Sequence, residues 1–297
     1  MFKILILISA LIFSLGHARA KVEARWFTVA AVLLEDGETR LFFDPMFTRA
    51  KWQHWLNFSE LRSDETLVSS VLQEHKIEKI DAVFASHSHF DHVIDAPMIS
   101  KLTGATFYVD KHSEIIAKAY KDPKIITQRI ENMEPIKVGK FTITPMKKVH
   151  SHIRALGINY MKGSVQNDFN FGFYDYYDGE TWFYLIDHPS GKILIDQGAQ
   201  TFINTVESFT SKIDVLIQGV ANRESDDVIL KGYADVFKAS IFIPTHFDNF
   251  LFGFDPKGSY SLLPGVRIDE LMEKMKKTHP NKKLLVPKYA EKIEILK

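Results

Sequence analysis

The sequence predicts a mixed α and β domain, and three observations carry that expectation. Short strand-like apolar runs dominate the chain, four stretches carry helical periodicity, and no repeat, low-complexity tract or long linker divides it. Strand patterns fall at 29–34, 40–44, 80–86, 105–110, 141–146, 169–177, 181–187, 192–196, 214–218, 240–243 and 284–287. Helical spacing of apolar residues falls near 64–75, 112–121, 227–238 and 267–277. Asp178-Gly179, between the alternating Phe169, Phe171, Phe173 and the run Trp182-Phe183-Tyr184, is a hairpin signal, and Ser190-Gly191 is a second turn. Strands, then a helix, then strands and helices again, twice over, suit two packed sheets with helices outside.

The first twenty residues read as a targeting segment. Lys3 supplies a positive start, Ile4 to Leu15 an apolar stretch, and Ala18-Arg19-Ala20 a small-x-small cleavage site. That stretch is shorter than the roughly 20 residues a membrane-spanning helix needs. The expectation is therefore a cleaved signal peptide over 1–20, one domain over 21–297, and a periplasmic or secreted protein. Cysteine is absent, which excludes disulfides, a thiolate metal ligand and a lipid anchor at the cleavage site. Lys+Arg and Asp+Glu both total 37, so no global charge favours nucleic acid or an anionic membrane. The expected partner is a small-molecule substrate, with no nucleic acid and no stable membrane span, while the oligomeric state is left open.

The stretch His87-Ser88-His89-Phe90-Asp91-His92 packs four candidate metal ligands into six residues, directly after the strand pattern at 80–86. Alternate residues of a strand share a face, so His87 and His89 would point together while Asp91 and His92 turn to a second point. Imidazole and carboxylate form the donor set that zinc accepts, usually with distant ligands closing the site.

This motif resembles the His-x-His-x-Asp-His signature of the metallo-β-lactamase fold superfamily. Other segments similar to that superfamily follow in the same chain order: Leu41-Phe42-Phe43-Asp44-Pro45, His150 after the strand pattern at 141–146, Asp196 in Ile193-Leu194-Ile195-Asp196, and His246 in Pro244-Thr245-His246-Phe247-Asp248. Asp44-Pro45 and the segment around His246 look most similar to the branch with ascorbate-6-phosphate lactonase and N-acylphosphatidylethanolamine phospholipase D. The resemblance implies an αββα sandwich of two mixed sheets flanked by helices. It implies that His87, His89 and His150 hold one metal, that Asp91, His92 and His246 hold a second, and that Asp196 bridges them. The cofactors would be two divalent ions, zinc first, with iron or manganese as alternatives. Such a pair, about 3.5–4 Å apart, shares a hydroxide that attacks a lactone, phosphoester or related ester. Asp91 would act as the catalytic proton carrier, and Asp44 would hold a ligand imidazole.

Several assignments stay open. His152 competes with His150 because both follow the same strand. Arg154 and Asp248 are candidates for contact with substrate or a ligand. The loops at 46–63, with Trp52, Trp55 and Phe58, and at 151–168 are either lids or rim packing. Asp187 and His188 read as solvated turn residues, and Asp95 as a helix cap. A β-lactamase and an inactive metal-binding protein are the competing readings. The first is opposed by the absent cysteine together with Asp196, the second by the intact ligand set.

Overall fold

The computed structural model describes residues 21–297 except 132, 151–153, 156–157, 160, 199–211, 222, 224, 252 and 256. The expected signal peptide therefore lies outside the described residues. The strands, in chain order, are β1 (Val22–Trp26), β2 (Val32–Glu35), β3 (Arg40–Phe43), β4 (Ala82–Phe84), β5 (Thr106–Val109), β6 (Ile126–Arg129), β7 (Ile136–Val138) and β8 (Phe141–Lys148). A short ribbon, β9 (Arg154–Ala155) with β10 (Ile158–Asn159), precedes β11 (Thr181–His188), β12 (Gly191–Asp196), β13 (Val215–Gly219), β14 (Ile241–Thr245), β15 (Lys283–Leu284) and β16 (Lys292–Leu296). They form two mixed sheets, ordered β16-β1-β2-β3-β4-β5-β6 and β15-β14-β13-β12-β11-β8-β7.

The two sheets pack face to face. Leu41, Phe43, Ala82, Phe84 and Tyr108 belong to a core shared with Tyr184, Ile186, Ile193 and Ile195 of the second sheet. Their neighbours Phe42, Val83, Phe107 and Val109 point the other way, into a core with the helices. Strands buried on both faces must be apolar throughout, which is why β3 to β5 read as unbroken runs. Phe43, Phe84 and Tyr108 stack across three strands at ring separations of 5.0 Å. Tyr184 of the facing sheet closes on Phe84 at 5.3 Å, and its hydroxyl donates to the Ala85 carbonyl at 2.6 Å.

The helices are α1 (Trp52–Trp55), α2 (Glu65–Glu74), α3 (Phe90–Val93), α4 (Ala96–Thr103), α5 (Lys111–Ala119), α6 (Asp226–Ile229), α7 (Asp235–Phe237) and α8 (Ile268–Thr278), and the longer ones cover the outer faces. Helix α2 (Glu65–Glu74) starts at Asp64, whose side chain accepts from the Leu67 amide, and it buries Val68, Val71 and Leu72. Helix α4 (Ala96–Thr103) carries Pro97 in its first turn and ends at Gly104 in the left-handed conformation, φ 74°. Helix α5 (Lys111–Ala119) is capped by Asp110, and α8 (Ile268–Thr278) buries Ile268, Leu271 and Met275 against the second sheet. This is the αββα arrangement expected from the resemblance.

Local expectations failed where tertiary packing overrode periodicity. The aromatic run at 169–177 is no strand; it is irregular chain with one 3₁₀ turn at Phe173–Asp175, and Phe169, Phe171, Phe173 and Tyr176 bury into the helix-side core. Asp178-Gly179 consequently turns no hairpin. Its Asp178 carbonyl accepts from the Ser88 amide and its carboxylate from the Gly163 amide. Gly179, at φ 59°, packs so closely that a Cβ would lie 2.6 Å from Ser88 Oγ. The expected helix at 227–238 forms, but widens into a π turn at Leu230–Ala234. Strands β1, β6, β7 and β16 and helix α4 went unanticipated, most of them short edge pieces or segments with mixed polarity. His188 is a buried residue at the end of β11 rather than a solvated turn residue: its ring packs 4.7 Å from Phe141, and Nε2 lies 3.4 Å from Asp36.

Candidate metal centre

The site forms where strands end. β3 and β4 run parallel in one sheet; in the other, β8 runs antiparallel to β11 and β11 antiparallel to β12, while β12 to β14 run parallel. Asp44, the 87–92 motif, His150, Asp196 and His246 thus all follow or end strands that point at one rim. Two of these residues adopt left-handed backbone that non-glycine residues rarely accept: Asp44 at φ 47° and His246 at φ 55°. Both are held there by neighbours, the Asp44 amide donating to the Phe84 carbonyl and the His246 amide to the Val29 carbonyl.

His87, His89 and His150 bring one ring nitrogen each to a common point, all within 4.8 Å of one another and all buried. His87 Nε2 lies 2.9 Å from His89 Nδ1 and 3.2 Å from His150 Nε2. Two of the remaining nitrogens are tied back: His87 Nδ1 to Ser86 Oγ at 3.0 Å, and His89 Nε2 to the Met161 carbonyl at 3.0 Å. A ring N–H donating to a carbonyl leaves the other nitrogen as a lone-pair donor. Burial, with His92, His150, His89 and His246 adding to it, pushes the His87 pKa well below its ordinary value. Burial likewise lowers that of His89, against the charge of Asp91.

Asp91, His92 and His246 make the second group, again within 4.8 Å. Asp91 Oδ2 lies 3.2 Å from His246 Nε2 and 3.5 Å from His92 Nε2. Behind them, His92 Nδ1 lies 3.2 Å from Asp44 Oδ2, and Asp44 Oδ1 accepts from the Ser86 amide. Burial lowers the His92 pKa, but the charges of Asp91 and Asp44 outweigh it and the net direction is up. Burial raises the Asp91 pKa, yet His92 and His246 hold it below the usual carboxylate range. The two groups adjoin, with the His87 and His92 rings 3.9 Å apart.

These six donors fit a metal. Closely spaced imidazole nitrogens, with the other ring nitrogens of His87, His89 and His92 already engaged, leave convergent lone pairs that a shared cation would satisfy.

Asp196, the expected bridge, ends β12 and belongs to neither three-residue donor group. It is fully buried, and both its oxygens accept from Lys148 Nζ, at 2.5 and 2.8 Å. Burial lowers the Lys148 pKa, and Asp196 opposes that shift. Sequence reasoning passed over Lys148: it shares a strand phase with Thr142 and Thr144 rather than with the buried Phe141 and Ile143, so the alternation of β8 carried no signal of its burial. Asp95 stands at the start of α4 but does not cap it; its carboxylate accepts from the Phe47 and Thr48 amides and the Thr48 and Ser63 hydroxyls. Burial raises its pKa against those bonds, and it pins the loop after Asp44 to the motif helix. Asp248 Oδ1 accepts from the Val29 amide at 2.7 Å, so it braces the His246 turn from behind. Arg154 pairs with Asn159 in the small ribbon, and His152 lies outside the described residues.

The donors sit at the floor of a cavity of about 1130 Å³. One wall is aromatic, from Trp55 through Phe173, Phe90 and Phe250; the other carries Arg223, Ser225, Asp226 and Glu270. Of the 46–63 loop, Trp55 lines the cavity while Trp52 and Phe58 stand exposed. Gln197 lines it too, its Oε1 accepting from Thr245 Oγ1 at 2.6 Å.

Comparison with known proteins bears on the family and the fold. A metal-dependent hydrolase of family UPF0173 from Anaeromyxobacter dehalogenans (strain 2CP-C) is 33% identical over 138 residues, 45% of this chain. The match spans 44% of that relative's own length. Among solved structures, Igni18, a metallo hydrolase from Ignicoccus hospitalis, superposes with a TM-score of 0.60 at 15% identity, covering 92% of this chain and 97% of its own. The metallo-β-lactamase fold protein YhfI from Bacillus subtilis superposes at 0.57 with 18% identity, covering 93% and 99%. Residues 39–191, which contain the whole 87–92 motif and His150, match the family described as the beta-lactamase superfamily domain, and the chain belongs to that family.

Proposed function

We propose that this chain is an exported metal-dependent hydrolase that cleaves a lactone, phosphoester or related ester with two divalent ions, most simply zinc. The supporting observation is that two three-residue donor groups adjoin at the floor of one cavity. When bound there, a pair of such ions supplies Lewis acidity toward the scissile bond and a nucleophilic water at neutral pH. The protein's own residues do the rest. His87, His89 and His150 form one cradle of imidazoles alone, while His92 and His246 form a second together with the carboxylate of Asp91. Asp91, kept ionised by its imidazole neighbours, stands at the cavity floor, where it can take a proton from water and return it to the leaving group. Asp44 orients His92, and Asp95 and Asp248 hold the two loops that carry the ligands. The aromatic wall suits an ester with an apolar acyl or aryl part.

The test is to load the purified chain with zinc and assay lactone, phosphodiester, thioester and β-lactam panels. Turnover of an ester class that stops on chelation and returns with metal is expected. Turnover of β-lactams alone would replace the ester reading. Full metal loading with no turnover on any panel would leave a binding protein of the same fold.

A further inference from the structure

A second cavity, of about 340 Å³, lies beside the loop that follows His246. Phe250 and Leu251 of that loop line the metal cavity, while Asp248 and Phe254 line this one, and the two cavities share no lining residue. Arg49 stands in the wall of the second cavity as a buried guanidinium that hydrogen-bonds no carboxylate. Its Nη1 donates to the Met46 carbonyl at 3.2 Å, its Nη2 to the Thr28 hydroxyl at 2.8 Å, and its Nε meets no acceptor. Two of the five N–H donors of the guanidinium are thus used and three are left. Burial lowers the Arg49 pKa, against the charges of Asp248 and Asp95. Asp248 stands in the same wall with the opposite need. Its Oδ1 accepts from the Val29 amide at 2.7 Å, and its buried Oδ2 meets no donor. The other carboxylate of the wall, Asp255, is already engaged by Ser259.

Opposite charges buried in one wall gain by closing on each other, because each alone keeps its desolvation cost. Here the Thr28-Val29 segment takes one hydrogen bond from each side, the Thr28 hydroxyl facing Arg49 and the Val29 amide facing Asp248, and no bond joins the two charges directly. Thr28 and Val29 hold φ of 85° and 49°, which β-branched residues seldom adopt. Strain of this kind persists only where the surroundings enforce it, and it gathers at ligand clamps. From this juxtaposition we infer that the second cavity binds a small zwitterion of the α-amino acid type, its carboxylate on Arg49 and its ammonium on Asp248. A guanidinium is a planar fork matched to a carboxylate, and this one is held flat by the Phe254 ring, 5.4 Å from its Cζ. Phe254 and Tyr260 offer the ligand's side chain an apolar surface, and the volume is that of a small-ligand site. The inference does not rest on the metal site.

The experiment is calorimetric titration of the purified zinc-loaded chain with glycine, L-alanine and L-phenylalanine. Each is paired with the acid lacking its amine (acetate, propionate, 3-phenylpropionate) and the amine lacking its carboxylate (methylamine, ethylamine, phenethylamine). At least one amino acid is expected to bind, and both of its half-ligands to bind about tenfold or more weakly, the worth of one charge-assisted hydrogen bond. Arg49→Gln is expected to lose that binding. Ser261→Trp, which fills the cavity from an exposed rim position, is expected to lose it too. Binding of none of the three amino acids overturns the inference. Equal affinity for the amino acid and its matched acid, unchanged in Arg49→Gln and Ser261→Trp, is capture of a carboxylate by the metal centre and also overturns it. A measurement on wild type guards against a variant that does not fold: the ¹H–¹⁵N signal of Arg49 Nε is expected to shift as the amino acid is added. A signal unmoved at saturation overturns the inference while leaving the metal site standing.

Discussion

The two donor groups share the 87–92 segment, each completed by one distant histidine, but they stand on different electrostatic terms. His87, His89 and His150 are three imidazoles backed by neutral partners, a serine hydroxyl and a carbonyl, and burial pushes two of them toward the uncharged form. Asp91, His92 and His246 include a carboxylate and have a second one, Asp44, behind His92. Both groups are equally buried, so the difference is one of charge. A cation entering the second group meets fixed negative charge in a low-dielectric site; one entering the first meets only lone pairs. The second group should hold its ion harder, and the first should exchange more readily.

The largest effect follows from removing that charge. Asp91→Asn keeps the shape of the second group but takes away its anion and the proposed proton carrier. Turnover is expected to fall about 10²- to 10⁴-fold, and elemental analysis should show one ion lost per chain. His87→Ala should also lose one ion, from the other group. Chelator titration of wild type should release the two ions in separable steps, and the ion that survives in His87→Ala should be the tighter one. Equal affinities in Asp91→Asn and His87→Ala would remove the contrast between the groups.

Much of this contrast was readable from sequence, because the 87–92 motif puts alternate residues on one strand end and the rest on a turn. The parallel ends of β3, β4, β12 and β14 then had to meet at one rim once two sheets packed. What was not legible depended on partners far away in the chain. Asp178-Gly179 has the local chemistry of a hairpin, but the phenylalanines before it gain more by burial under the helices than by pairing as a strand. Asp196 has the place of a bridging ligand in the motif order, and nothing in its own neighbourhood reveals that Lys148, 48 residues earlier, reaches it. Asp95 likewise has the position of a cap, while its hydrogen bonds go to residues 47, 48 and 63.

The fold's acid sensitivity must be separated from the site's before the groups can be compared at low pH. Glu35 lies at the end of β2 remote from the loop that touches His246. Burial raises its pKa, but Lys292, Arg40 and Arg25 outweigh that and bring it down to about 2 from an ordinary 4.5. A depressed carboxyl stabilises the fold above its unfolded pKa and loses that contribution as pH falls through the folded one. The contribution, on the order of 3 kcal/mol, should be complete above about pH 4.5 and fade toward pH 2. Urea unfolding of metal-free wild type and Glu35→Gln should show a stability gap at neutral pH that closes over that window. A gap independent of pH would mean the ion cluster contributes nothing through this carboxyl.

A milder change acts on the second group from behind. Asp44→Asn should weaken the ion held by Asp91, His92 and His246 by about 10- to 100-fold, the usual cost of losing the partner that orients a ligand imidazole. The ion held by His87, His89 and His150 should be little affected, since none of those rings leans on Asp44. Stepwise chelator release reads both. If the two steps shift together, Asp44 acts on the loop as a whole, through the Ser86 amide, rather than on His92.

The smallest effect concerns what the cavity walls bring to each group. An aromatic series runs outward from the second group: His246 to Phe250 at 5.2 Å, Phe250 to Phe90 at 6.1 Å, Phe90 to Phe173 at 4.9 Å, and Phe173 to Trp55 at 6.5 Å. The first group has Met161 beside it instead. An apolar acyl or aryl portion of a substrate should therefore lie along the side of Asp91, His92 and His246. Trp55 stands at the far end of that series, distant from the reacting bond. Trp55→Ala should raise KM for an ester with a long apolar portion by roughly tenfold or less and leave kcat and metal content alone, the pattern of a contact equal in ground and transition states. A short ester that stops before Trp55 should show no change. Trp52→Ala is the control, because Trp52 is 61% exposed and does not line the cavity. A fall in kcat for Trp55→Ala on the short ester as well would mean that the 46–63 loop closes over the reaction, and the wall would then have to be read as a lid.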